Sequence, residues 1–389
     1  MKIYNNPSIS EPIIFNSGIT DSNIGISTDG IEYVSEVFDR QLQEGLHPGA
    51  QLVVLKNGGV VLDRYGGYTG TSGKHRITPD TRFLVFSLTK AFTSACVFKL
   101  VDEKLVNLDA PVGYYWPLFS CQGKEGITIK QVMLHQAGLP NRGLVNQIIN
   151  ISNWEKLTLN LARQKPQYNP GSKTAYHYLN FGFILGEVIR RVGGMPIDVY
   201  LKNEFLIPMG LGNTSMKVSE FGSKSYARLC SGTFAYQIVA GVFNLTKVRS
   251  AVIPAASLHS TAREVAIFFQ MLLNYGKYAG KRFLKQETVQ LATSLGYEGF
   301  DDSLGRNTRW GYGFFLGGDH RLHPKFPDGM GKGSSVDTFG QYGQRTSMAW
   351  ADKRTGTVVV FLCNRFLSNF DYKVRLQEIS DAVWDAIEV

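Results

Sequence analysis

The chain has 389 residues, of which 43% are hydrophobic and 19% charged, and 41 Lys and Arg against 32 Asp and Glu give a formal net charge of +9. That length and balance exclude a disordered or fibrous chain and allow a large core. No apolar stretch approaches the length of a membrane-spanning helix. The basic excess is dispersed, with no run of five or more Lys and Arg, which argues against a nucleic-acid partner, whose footprint is a clustered patch.

The four cysteines, Cys96, Cys121, Cys230 and Cys363, form no C-x-x-C pair. Neither a disulfide framework nor a zinc site is expected, and the histidines show no metal-ligand spacing, so no metal and no cofactor is implied. Met1 to Pro7 lacks the apolar core of a signal peptide, and the expected setting is cytoplasmic.

Residues 1–28 have no hydrophobic period and are expected to form an extended arm. Thr28-Asp29 caps a predicted helix through Gln43, with Ile31, Val34, Val37, Phe38 and Leu42 on one face. Residues 51–55 and 60–65 flank Asn57-Gly58-Gly59 and predict a hairpin. A polar loop over 66–81 precedes Phe83-Leu84-Val85-Phe86, and a helix-like run starts at Ser87 and continues to about Glu103.

Helices are predicted over 127–135, near 153–164, over Tyr176 to Val192, over Met195 to Met209, from Ser260-Thr261 through Leu273, and over Lys285 to Ser294. Residues 213–258 read as irregular, and Asp301-Asp302 as a solvated pair. Residues 310–315, 346–350 and 357–362 read as strands, and Asp371 to Val389 as a closing amphipathic helix. Helix and hairpin at the start, strands and helix at the end, and a helical middle predict a sheet domain completed by residues 29–86 and 305–389. Residues 87–304 would be inserted into it, leaving a cleft at the junction.

Ser87 falls at that junction. Ser87 and Lys90 stand on one face of a helix at a spacing of three. A serine hydroxyl is a weak nucleophile at neutral pH, and an amine of lowered pKa beside it can take its proton. No G-x-S-x-G elbow is present, which argues against an α/β-hydrolase.

Further residues accompany this tetrad in order: Val132-Met133-Leu134-His135-Gln136-Ala137-Gly138-Leu139-Pro140, then Pro170-Gly171 ahead of Tyr176, Leu258 to Glu264, Phe339-Gly340-Gln341-Tyr342-Gly343, and Asn364-Arg365. As an ordered set they resemble the serine β-lactamase-like family, which holds class C β-lactamases, D-Ala-D-Ala peptidases, carboxylesterases and some acyltransferases. The resemblance implies an α+β fold of the β-lactamase/transpeptidase type: an antiparallel sheet flanked by N- and C-terminal helices, with a mainly helical insert.

It also implies roles. Ser87 would be the nucleophile, Lys90 its base and Tyr176 the second proton shuttle, its phenolate favoured by an ammonium at Lys90. The N–H groups of Ser87 and Gln344 would form the oxyanion hole. Tyr178, His177, Gln341, Tyr342 and Gly343 would meet substrate, and His135 would stabilise a turn. Two positions depart from the family pattern. Tyr178 stands where an asparagine is usual, and Gln341 where a lysine or histidine is. A neutral Gln341 cannot supply charge to a substrate carboxylate, which leans the expected substrate towards neutral small-molecule esters, although Arg345 is a cation nearby. The expectation is a serine hydrolase cleaving esters of small or medium acyl chains. β-Lactamase, D-Ala-D-Ala peptidase or acyltransferase action on the same site, and a catalytically silent binding relative, are the alternatives. Oligomeric state stays open.

Overall fold

The N- and C-terminal parts of the chain meet in one eight-stranded antiparallel sheet. Its strands are β1 (Gly49–Lys56), β2 (Gly59–Gly67), β3 (Tyr297–Asp301), β4 (Arg306–Trp310), β5 (Phe315–Leu316), β6 (Thr338–Gly343), β7 (Ser347–Asp352) and β8 (Thr357–Cys363). They lie in the order β2-β1-β8-β7-β6-β5-β4-β3. The computed structural model describes residues 13, 15, 25–140, 150–218, 224–318, 329–368 and 371–387. Most of the expected N-terminal arm therefore lies outside the described residues.

The predicted hairpin forms. Asn57 and Gly58 both take positive φ, 50° and 82°, as a two-residue turn matched to the strand twist requires. β1 then pairs along its length with β8, from Ala50 opposite Cys363 to Lys56 opposite Thr357. Every residue of β1 and of β8 is buried, because helices cover both faces of the sheet.

On one face lie α1 (Thr28–Gln43) and the closing α8 (Asp371–Ala386). Gln41 Nε2 donates to the Arg375 carbonyl at 3.1 Å, and Trp384 of α8 stacks on Trp350 of β7 with ring centroids 4.8 Å apart. On the other face lies α7 (Ala262–Leu273), where Phe269 stacks on Phe339 of β6. Thr261 caps this helix, its side chain accepting from the Glu264 N–H.

The helical region is built on α2 (Thr89–Asp102), which is buried almost all round, as a central helix must be. Phe92 of α2 stacks on Phe268 of α7 at 3.8 Å. α5 (Asn180–Val192) packs against α2, and α3 (Ile129–Met133) and α4 (Trp154–Ala162) pack against α5. A Thr128–Gln131 capping box opens α3.

Three expectations are corrected. The stretch 213–258 is not wholly irregular, since it holds α6 (Phe234–Phe243) and a helical turn Thr246–Arg249. Almost every residue of α6 is apolar, so no periodic polar face marks it as a helix. Tyr176 is not on a helix. The chain runs non-helically through Ala175–His177, and α5 begins only at Asn180. Asp301 is fully buried at the end of β3 rather than solvated, while Asp302 is exposed and paired with Lys173.

Candidate active site

The nucleophile candidate sits on a strained corner. Phe83-Leu84 pairs with His259-Ser260, and the chain then turns through Phe86, whose φ is +47°. A side-chain-bearing residue in that region costs on the order of 1–3 kcal/mol and persists only when its surroundings enforce it. Phe86 is held by Phe243 of α6 and by Phe366, with ring centroids at 4.9 and 5.6 Å. Residues 86–88 form one 3-10 turn that runs into α2, so Ser87 stands just ahead of the α-helix.

Lys90 follows on the first turn of α2 and is fully buried. Its Nζ lies 3.1 Å from Ser87 Oγ and donates to the carbonyls of Tyr178 at 2.8 Å and Ala255 at 3.3 Å. Burial holds its pKa well below the ordinary lysine value, since desolvation penalises the ammonium and no carboxylate offsets it.

Tyr176 closes the triangle. Its phenol stands close enough to the Ser87 side chain to interact with it, and Lys90 Nζ lies 4.7 Å from its ring centroid. Burial raises the phenol above its usual value, with the Ser87 hydroxyl opposing. Desolvation therefore drives both the amine and the phenol towards their uncharged forms. The phenolate that a Lys90 ammonium would favour is opposed by the same burial.

Tyr176 is held by contacts the sequence did not reveal. Its backbone N–H donates to Asp301 Oδ1 at 3.0 Å, and the same oxygen accepts from Ser303 and Leu304 N–H groups, each at 3.0 Å. Trp310 of β4 stacks against its ring at 5.5 Å, with the planes 12° apart. His135 packs on it at 4.6 Å and fixes the neighbouring backbone. The His135 carbonyl accepts from the Ala175 N–H, and its Nδ1 accepts from the His177 N–H at 3.2 Å. That is the turn-stabilising place expected of His135.

The other expected site residues divide. Ser87, Tyr176, Tyr178, Tyr342 and Gln344 line one open cleft of about 570 Å³. No described residue accepts the Gln344 N–H. Gly343 does not line the cleft but lets β6 approach the corner, because a Cβ there would fall 1.9 Å from the Val85 carbonyl oxygen. Ser347 Oγ donates to that same carbonyl at 2.8 Å.

His177 and Gln341 do not meet the cleft. His177 is fully buried behind Tyr176, its Nε2 accepting from the Leu139 N–H at 3.0 Å and its Nδ1 lying 2.7 Å from the Ala175 carbonyl. Burial lowers its pKa to about 4, leaving it neutral. Gln341 follows the two-residue alternation of β6. Tyr342 faces the cleft, whereas Gln341 turns to the α7 side and donates to the Gly313 carbonyl at 3.0 Å. The same cleft is also lined by Arg306, Arg345 and Lys373, which the sequence reading did not place there apart from Arg345.

Among the described residues no group of three or more His, Cys, Asp or Glu could hold a metal ion, and no helix is long and apolar enough to cross a membrane.

The sequence profile of the family described as Beta-lactamase matches residues 34–383. The esterase/beta-lactamase LipL of Mycobacterium tuberculosis (strain ATCC 25618 / H37Rv) is 30% identical over 348 residues, covering 82% of this chain and 78% of LipL. The crystal structure of a family VIII carboxylesterase superposes with a TM-score of 0.79 at 26% identity, covering 93% of this chain and 99% of that one. A penicillin-binding protein homologue from Caulobacter crescentus gives 0.78 at 27% identity, with coverage of 93% and 99%. The sheet flanked by its terminal helices, the helical insert and the matched span agree: the chain belongs to the beta-lactamase family of serine hydrolases.

Proposed function

We propose that the protein is a carboxylesterase that cleaves small or medium acyl esters through an acyl-enzyme on Ser87. The observation that carries the reading is the buried Lys90 amine at 3.1 Å from Ser87 Oγ, with the Tyr176 phenol beside the same hydroxyl.

The uncharged amine accepts the Ser87 proton as Oγ attacks the ester carbonyl. The developing oxyanion is received by the Ser87 and Gln344 N–H groups, each such donor contributing about 3 kcal/mol to transition-state stabilisation. The C–O bond to the leaving alcohol breaks as the neutral Tyr176 phenol donates its proton to the alkoxide. The proton held by Lys90 then passes to the Tyr176 phenolate, restoring a neutral amine and a neutral phenol. A water molecule gives up a proton to that amine and attacks the acyl carbonyl, and the C–O bond to Ser87 breaks as the Lys90 ammonium returns the proton to Oγ, releasing the acid.

Two things favour ester over lactam or peptide. Gln341, at the position where family members place a cation, is neutral and turned away from the cleft. LipL, the relative at 30% identity, is named an esterase as well as a beta-lactamase, and a family VIII carboxylesterase is among the structures matched over nearly the whole chain. A panel of 4-nitrophenyl esters from acetate to octanoate, a chromogenic cephalosporin and a D-Ala-D-Ala peptide tests the reading. Turnover of the esters at rates well above the other two supports it; turnover of the lactam or the peptide alone overturns it.

A further inference from the structure

We infer that Arg375, on the closing helix α8, is a positioning residue of the oxyanion hole: its buried guanidinium holds the β6–β7 turn by the Arg345 carbonyl and so keeps the Gln344 N–H aimed at the Ser87 corner. The inference rests on the reading above for the role of Gln344 and adds the group that sets its place.

Arg375 lies one turn into α8 and is fully buried. Its fork reaches three separate segments of the chain. Nη2 donates to the Arg345 carbonyl, and Nη1 donates to the Leu46 carbonyl at 3.2 Å. Both nitrogens lie 3.3 Å from the Arg365 carbonyl. The Arg375 backbone carbonyl accepts from Gln41 Nε2 at 3.1 Å, which ties this turn of α8 to α1. A buried guanidinium is costly to desolvate, and a carboxylate is its usual compensation. Here backbone carbonyls take that place, and a planar fork suits several of them at once. The cation therefore fixes loops rather than pairing with an acid.

One of those loops carries Gln344. Its two ends are fixed by the sheet. Gly343 is pinned where β6 approaches the Val85 carbonyl, and the Thr346 carbonyl accepts from the Cys363 N–H at 2.8 Å. The Thr346 N–H donates to the Gly343 carbonyl at 2.8 Å and closes the turn. Between these ends stand Gln344, exposed on the cleft, and Arg345, whose φ is +65°. A residue with a side chain keeps that conformation only when its surroundings enforce it. The Arg345 side chain is tied separately, to the Leu367 carbonyl at 3.0 Å and over the Tyr236 ring at 4.2 Å. Its backbone is tied by Arg375. Released from that bond, the tip can relax, and the Gln344 N–H, one residue earlier, turns with it. An oxyanion donor acts by being in place before the charge develops, so the anchor bears on rate rather than on substrate binding.

Arg375→Met removes the donors and keeps a long apolar side chain in the core. The test compares 4-nitrophenyl butyrate with its thionoester, in which C=S replaces C=O. Sulfur is a larger and weaker acceptor, so N–H groups placed for an oxyanion favour the oxygen ester. In Arg375→Met, kcat on the oxygen ester is expected to fall by about tenfold or more, a part of the hundred- to thousandfold that loss of a whole oxyanion donor costs. KM should change far less, kcat on the thionoester should fall less, and the pH at which activity rises, set by Lys90, should stay where it is. Thermal melts report folding. Should Arg375→Met not fold, Arg375→Lys, a point charge without the fork, carries the same comparison. Unchanged kcat in a folded variant, or an equal loss on both esters, overturns the inference. So does failure of both variants to fold, which would leave Arg375 a stabilising role alone. Labelling of Ser87 by a fluorophosphonate decides the matter without ester turnover, because the phosphoryl oxygen enters the same hole. Labelling slowed by about tenfold or more in the variant supports the inference, and an equal rate overturns it. A wild-type protein that labels but cleaves no ester sinks the esterase reading and leaves this one to the labelling rates; one that does not label at Ser87 overturns both.

Discussion

Lys90 Nζ stands 3.1 Å from Ser87 Oγ while two carbonyl oxygens, of Tyr178 and Ala255, occupy its other directions. Three oxygens therefore surround the amine. In the neutral form that burial favours, two N–H bonds serve the carbonyls and the lone pair is left for the Ser87 hydroxyl, with the Tyr176 phenol beside the same oxygen. Burial, acting on the amine and the phenol in opposite directions on the pH scale, keeps a base and an acid uncharged side by side.

That arrangement fixes the shape of the pH profile. Lys90 must be deprotonated to act, so kcat/KM should rise with pH through its lowered pKa and plateau well below the ordinary lysine range. Tyr176 must keep its proton, and its raised pKa puts any alkaline fall above about 10, the unperturbed tyrosine value. An initial-rate profile with a neutral ester checks this. A rise that begins only near the normal lysine pKa would remove Lys90 as the base.

Removing either group should cost chemistry and leave the fold intact. Lys90→Ala and Tyr176→Phe are each expected to lose at least about a hundredfold in kcat, the lower range for an acid–base group, with KM changed far less. Thermal melts run alongside report folding. Unchanged kcat in Tyr176→Phe would take the phenol out of the mechanism.

Asp301 is expected to act by position. Asp301→Ala strips the shared acceptor from the N–H groups of Tyr176, Ser303 and Leu304 and should destabilise the protein by about 2–4 kcal/mol, the scale for buried donors left unpaired. Asp301→Asn keeps an acceptor oxygen and should recover most of that stability. Urea unfolding of both variants, with kcat measured in parallel, tests this. Equal loss in the two would mean that charge, not the acceptor, matters.

Gly343 is the close-approach point between β6 and the Ser87 corner. Gly343→Ala puts a methyl against the Val85 carbonyl, a backbone atom that cannot swing aside. The strand must shift, carrying the Gln344 N–H away from the oxyanion position. A kcat loss of about tenfold or more is expected, since one oxyanion donor is worth about 3 kcal/mol. Full activity in this variant would argue against Gln344 as a donor.

Much of this was legible in the sequence because it follows local rules. The Asn57-Gly58 hairpin, the cap at Thr261, the apolar β8 and the Ser87–Lys90 spacing are all set by neighbouring residues. What was not legible depends on distant contacts. Asp301 looks like a surface acid until β3 brings it under Tyr176, 125 residues away. Gln341 and His177 sit next to cleft residues in sequence, and strand alternation and burial turn them the other way. α6, nearly all apolar, carries no helical period and becomes a helix where it covers Phe86. Arg306 and Lys373 lie far apart in the chain, and only the fold brings them to one rim.

The central claim is that Ser87 is the residue that becomes acylated. Incubation with a fluorophosphonate probe, followed by peptide mass mapping, tests it most directly. The account predicts a single adduct on Ser87, formed with a pH dependence that follows Lys90 and absent from Ser87→Ala. Ester turnover with Ser87 unlabelled, or an adduct on another serine that tracks the loss of activity, would contradict it.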